Sequence, residues 1–176
     1  TERLYEDKAE MAAHRAVQLD PKNAAGYAVL AAVQASRGKW PEAEDLYKQA
    51  LALDADDPEA LNRYNLMLGV TGHLKEGLRV AERNRTLEPF VPIYNLVFAT
   101  TLQIVGRTAD SISLLEGIHT DPALSLLRNQ VLARAYASQG RYTEAANTLL
   151  GIEGSLVDRQ SVEAAARLIR SAPAKI

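Results

Sequence analysis

Residues 24–57 read AAGYAVLAAVQASRGKWPEAEDLYKQALALDADD, and one glycine inside this stretch, Gly38, opens a series. Gly72, Gly106 and Gly140 follow it at a constant interval of 34 residues. The neighbours of each glycine recur too. Two positions on stand Trp40, Leu74, Thr108 and Tyr142, and four on stand Glu42, Glu76, Asp110 and Glu144. Five positions on, the residue is always small: Ala43, Gly77, Ser111 and Ala145. Self-similarity at this period is the mark of a stacked array of short units.

Each unit can be read from its parts. Before the first glycine, Tyr27, Leu30, Ala31 and Gln34 fall at i, i+3, i+4 and i+7, which is one face of a helix. After it, Ala43, Leu46, Tyr47, Ala50 and Leu51 do the same. The glycine is expected to close the first helix in the left-handed conformation that a Cβ disfavours. The acidic residue then falls in the first turn of the second helix, where it suits the positive end of the dipole. The small residue next to it allows the two helices to approach closely. Each unit is thus two antiparallel helices joined by a turn, and the expected fold is all-α. The low aromatic content, 6%, agrees, because strands collect aromatic and β-branched side chains.

Composition narrows the function classes. The chain has 176 residues, 20 Lys plus Arg against 22 Asp plus Glu, three His and no Cys. A formal charge of −2 argues against a protein built to hold nucleic acid or an anionic membrane. The lack of Cys excludes disulfides, zinc–thiolate sites, iron–sulfur clusters and thiol catalysis. The longest apolar run, Ala28 to Val33, falls far short of the roughly 20 residues that span a bilayer. The chain opens on Thr1, Glu2 and Arg3 with no cleavable leader, so a cytoplasmic location is expected. Without an initial Met, it reads as an excised piece of a longer protein.

On these residues the sequence resembles the tetratricopeptide repeat family, whose helix–turn–helix unit has the same 34-residue period. The best copy, 24–57, places Tyr27, Leu30, Ala31, Ala43, Tyr47 and Ala50 at the family's packing positions. The second, 58–91, has Leu61, Tyr64, Leu68, Ala81 and Pro89; the third, 92–125, has Phe98, Ala99, Leu102, Leu115 and Ile118. The fourth, 126–154, keeps Leu132, Ala133, Tyr136, Ala145 and Leu149. Residues 1–23 read as a half repeat, the second helix only, and 155–176 as a closing amphipathic helix with Val162, Ala165, Ala166 and Ile169. The resemblance implies a right-handed α-α superhelix, a solenoid of stacked antiparallel helix pairs, with 1–176 as a single repeat domain. Two departures stand out. Asn84 sits where the family packs a small residue, and Asp121–Pro122 has the form of a cap and first turn of an early-starting helix.

The resemblance also implies a function. In this family the first helix of each repeat lines a concave groove. Carried over by position, that gives Ala25, Ala28, Ala32, Ala35 and Ser36, then Glu59, Asn62, Leu66, Gly69 and Val70 with Arg63 beside them. The third repeat offers Ile93, Leu96, Thr100, Gln103 and Ile104, and the fourth Leu127, Gln130, Arg134, Ala137 and Ser138. The clamp by which some members hold a chaperone tail is missing, because Ala28 and Ala32 stand where it needs Lys and Asn. The candidate partner-binding residues are therefore Asn62, Gln103 and Gln130, as hydrogen-bonding amides for a partner backbone, with Arg63 and Arg134 for acidic side chains. The expectation is a non-catalytic protein–protein interaction module, a fragment of a larger bacterial-type signalling or regulatory protein, with no cofactor or metal. The alternative is a self-association scaffold working through the apolar edge of the half repeat, Leu4 to Leu19.

Other features read more plainly as structure. His14, His73 and His119 are too scattered to converge on a metal or a reacting group. Lys75, Arg79, Arg83 and Arg85, interleaved with Glu76 and Glu82, form a solvated helix face. Gly38–Lys39 lacks the first Gly and the final Ser or Thr of a phosphate loop. Asn84–Arg85–Thr86 has the form of a glycosylation sequon inside a helix, and Trp40 is expected to anchor two helices at their turn.

Overall fold

A computed structural model describes residues 2–152 and 158–172. Among the described residues there are ten helices and no strand. The opening helix is α1 (Glu2–Leu19), and the first full pair is α2 (Ala24–Ser36) with α3 (Trp40–Leu53). Then come α4 (Pro58–Thr71) with α5 (Leu74–Leu87), α6 (Pro92–Ile104) with α7 (Thr108–Gly117), and α8 (Pro122–Ser138) with α9 (Tyr142–Leu150). The last helix is α10 (Arg159–Arg170).

The turn within each pair is built the same way. Gly38, Gly72, Gly106 and Gly140 have φ of 73°, 82°, 83° and 77°, a region that L side chains avoid. The residue after each glycine donates its N–H five residues back: Lys39 to Gln34 O (3.0 Å), His73 to Leu68 O (2.9 Å), Arg107 to Leu102 O (2.8 Å) and Arg141 to Tyr136 O (2.9 Å). This satisfies carbonyls that the end of the first helix would leave without partners. The helices after these turns have no side-chain cap.

Of the four helices that open the pairs, α2, α4 and α8 have side-chain caps, and α6 has none. Asn23 Oδ1 accepts the Gly26 N–H at 2.7 Å, and Asp57 Oδ1 accepts those of Glu59 and Ala60 at 3.0 and 3.2 Å. Asp121 Oδ1 caps α8 through Leu124 N–H at 2.9 Å, with Pro122 as the first helical residue. That cap starts α8 ahead of residue 126, where the repeat spacing alone would begin the fourth unit.

By contacts the chain divides into two compact units, Thr1–Glu88 and Pro89–Ile176. In the first, α2 packs on α1, α3 and α4, and α4 packs on α3 and α5. Its core joins Ala31, Ala43, Tyr47, Tyr64, Met67 and Leu68, with Ala28, Ala50 and Ala60 alongside. In the second, α8 packs on α6, α7 and α9, and α10 closes on α9. Leu96, Ile112, Leu115, Val131, Leu132 and Tyr136 form its centre. Each fully buried Leu contributes about 1.5–3 kcal/mol.

The small residues five positions after the glycines do what their size suggests. Ala43, Ser111 and Ala145 are 0% exposed. A Cβ placed on Gly77 would lie 3.2 Å from Asn65 Oδ1 and 3.5 Å from Leu68 Cβ, so α4 and α5 touch closely there. Asn84 is buried, donating from Nδ2 to Pro58 O at 3.0 Å, while its Oδ1 has no partner. Its sequon is therefore closed to modification in the folded chain. Trp40 differs from expectation. It is 38% exposed at the first position of α3, so its ring is only partly covered, and the first fully buried residue of that helix is Ala43.

Candidate partner-binding site

In the first unit the candidate site is an open groove of about 710 Å³. Ala25, Ala28, Val29, Ala32, Val33 and Ser36 of α2 line it, and their spacing makes them one helix face. Because most of these residues are small, the groove stays open along α2. Tyr5, Glu6 and Ala9 of α1 line one side, and Asp57, Glu59 and Arg63 at the start of α4 line the other. Arg63 Nε donates to Glu59 Oε1 at 2.6 Å, one turn apart on the exposed face of α4. Further along that face Leu66 and Val70 are 50% and 73% exposed. Asn62 is half-buried beside it, and its Oδ1 has no hydrogen-bond partner.

In the second unit the expected residues take unequal positions. Gln103 is half-buried, and its Nε2 donates to Ser111 Oγ at 3.0 Å and to Val131 O at 3.2 Å. Both amide hydrogens are thus used inside the unit. Its Oε1 accepts from Arg134 Nε at 3.2 Å. Leu127, Gln130 and Arg134 lie on one exposed face of α8, at i, i+3 and i+7. The apolar, amide and cationic groups of that face are open to a partner.

The positions carried over from the repeat pattern therefore divide. Ala25, Ala28, Ala32, Ser36, Glu59 and Arg63 line the groove of the first unit, but Ala35 does not. Leu96 is 1% exposed in the core of the second unit, packed in the cluster with Ala99, Leu115 and Val131, and so is no part of a binding surface. Sequence reasoning missed the α1 side of the groove. The signal was present, since Tyr5 and Ala9 fall one helical turn apart in the half repeat.

The remaining candidates add no chemistry. Among the described residues no three His, Cys, Asp or Glu side chains gather as a metal site. His73 Nδ1 lies 3.9 Å from Glu44 Oε2 at the exposed start of α5. Arg83 is ion-paired with Asp56 at 2.7 Å. No helix among the described residues is long and apolar enough to cross a membrane. The strongest perturbed titrations belong to core tyrosines. Burial pushes the Tyr47 phenol up to about 12 and raises that of Tyr64 too, where donation to Glu76 Oε1 at 3.1 Å adds to the effect.

Comparison with known proteins places this architecture. Residues 27–61 match the tetratricopeptide repeat family. No curated protein matches the sequence. Among solved structures, PilF of Pseudomonas aeruginosa superposes with a TM-score of 0.72 at 18% identity, covering 97% of this chain and 87% of that one. A thermophilic tetratricopeptide-repeat protein of Thermus thermophilus gives 0.71 at 17% identity, over 96% and 94%. YrrB, a tetratricopeptide-repeat protein with an unusual peptide-binding site, gives 0.71 at 17% identity, over 95% and 86%. At such identities the likeness shows the fold.

Proposed function

We propose that this chain, which has the tetratricopeptide-repeat fold and matches that family at residues 27–61, is a non-catalytic interaction module that holds an extended or helical segment of a partner protein, as part of a signalling or regulatory protein. The observation that carries this is the open groove of about 710 Å³ along α2, with an apolar floor and polar groups at its sides. The peptide-binding site of YrrB, a protein of the same fold, supports the same reading. In the second unit the corresponding surface is the Leu127, Gln130 and Arg134 face of α8, with Gln103 holding Arg134 in place. Asn62, Arg63, Gln130 and Arg134 remain the proposed partner-binding residues, with Gln103 acting through the position of Arg134. A photoreactive residue at Val29, in the groove, should cross-link to partner protein in cells, whereas one at Gln49, exposed on α3 outside it, should not. Equal cross-linking at both positions would refute the groove.

A second reading has its own support. Leu4, Met11 and Leu19 are 56%, 72% and 70% exposed on α1, an apolar strip that a second copy of the chain can cover. Light scattering of the purified chain across a concentration series tests it, and a mass that stays monomeric counts against it.

A further inference from the structure

The groove along α2 carries a charge pattern that selects its occupant. Three carboxylates, Glu6, Asp57 and Glu59, line it together with one guanidinium, Arg63. Both features that could attract an anion are already occupied. Arg63 is held by Glu59 at 2.6 Å. The amide end of α4, where a helix dipole favours negative charge, is filled by the Asp57 carboxylate, which accepts two backbone N–H groups. Among the described residues Glu6 forms no ion pair, and Arg37 is bonded to Asp7 and Glu10. A neutral segment filling the groove would strip water from these carboxylates and return nothing, while an acidic one would add repulsion.

We propose that this groove binds a cationic segment, one that lays aliphatic side chains against Val29 and the small residues of α2 and directs flanking Lys or Arg side chains to Glu6 and Asp57. This deepens the groove reading above and rests on it. The partner is thereby assigned by chemistry: a basic, apolar-anchored stretch of protein, the opposite polarity to the acidic partner that the arginines alone suggest.

The test uses the full chain and three leucine-anchored peptides that differ only in flanking residues, which are lysine, glutamine or glutamate. Affinities are read by fluorescence anisotropy at low and at physiological salt. The lysine peptide should bind about tenfold more tightly than the glutamine peptide at low salt, and the glutamate peptide least of all. Salt should narrow that gap, since screening acts on exposed charges. Glu6→Gln, at a surface position, should cut the lysine preference by about threefold with helix content unchanged. Val29→Trp should weaken the lysine peptide by about tenfold, because Val29 is 40% exposed within the groove and a larger ring fills the space. Equal binding of all three peptides, each sensitive to Val29→Trp, would leave the groove standing and overturn the charge assignment. A preference for the glutamate peptide would overturn it in favour of Arg63. Failure of every peptide, or binding that ignores Val29→Trp, would remove the groove reading and this inference with it.

Discussion

Arg134 Nε donates to Gln103 Oε1 at 3.2 Å, joining α8 to α6 between residues 31 apart in sequence. The same glutamine sends its amide hydrogens to Ser111 Oγ on α7 and to Val131 O on α8. One side chain therefore ties three helices of the second unit and holds the arginine in position at the surface.

Gln103→Ala should cost about 1–3 kcal/mol, because it leaves the Val131 carbonyl and the buried Ser111 hydroxyl without this donor. Arg134→Ala should cost less than about 1 kcal/mol, since the arginine is exposed. Urea unfolding of the two variants separates these outcomes. If Gln103→Ala is as mild as Arg134→Ala, the glutamine does not hold the three helices together.

The four repeated glycines should resist replacement through their backbone conformation alone, since the space around them is open. Gly72→Ala or Gly140→Ala should destabilise by about 1–2 kcal/mol, although no atom lies within 4 Å of the added Cβ, because φ is positive at both sites. Gly117→Ala, in equally open space with ordinary φ, should be neutral or stabilising by about 0.4–1 kcal/mol through the unfolded state. Thermal unfolding of the three variants checks this contrast. Similar losses at all three sites would show that φ is not the cause.

Asn84 stands where a small residue is expected, and one hydrogen bond justifies its presence there. Asn84→Asp exchanges the donor to Pro58 O for a buried carboxylate facing a carbonyl, and should cost about 2 kcal/mol or more. Asn84→Ala removes the donor together with the unpartnered Oδ1, so its cost should be smaller. Chemical denaturation ranks the two; if alanine proves the worse, the buried aspartate has taken a proton and still donates to Pro58 O.

Tyr47 and Tyr64 pack with ring centroids 5.5 Å apart, tilted by 32°. Burial raises the Tyr47 phenol to about 12 in the folded chain, against an ordinary value near 10. A raised folded value means the native state keeps its proton longer than the unfolded chain. The associated stability is therefore intact below pH of about 10 and lost as pH rises towards 12, by up to about 1.4 kcal/mol per pH unit. Tyr64 changes in the same direction. Tyr47→Phe should make the alkaline decline shallower, and the double change to Phe shallower still. Unfolding curves across that range measure it, and an unaltered slope in Tyr47→Phe would assign the decline to other groups.

Much of the architecture was legible because the repeat is written in local terms. A glycine marks each left-handed turn, an acidic residue the first turn after it, and a small residue the close approach, as Gly140, Glu144 and Ala145 illustrate. The cap at Asp121 could also be read, since a capping carboxylate reaches backbone only two or three residues away. The binding surface was less legible. Repeat positions put Leu96 and Gln103 alike on the groove, yet Leu96 lies in the core and Gln103 is half-buried in internal bonds. Family position tells which way a side chain points on an ideal repeat. It does not tell how far the neighbouring helix covers that side chain.

By itself the sequence determined the helices, their pairing and the turns between them, because each is set by residues within one 34-residue period. Only the tertiary structure decided which polar groups face solvent and which are engaged within the units. Tyr5 and Glu6 reach the groove of α2 through the packing of α1 beside it, and Arg134 of α8 meets Gln103 of α6. Those outcomes depend on distances between side chains of different helices or turns, which a periodic pattern leaves open. The resulting surplus of carboxylates around an apolar groove is what points to a basic partner.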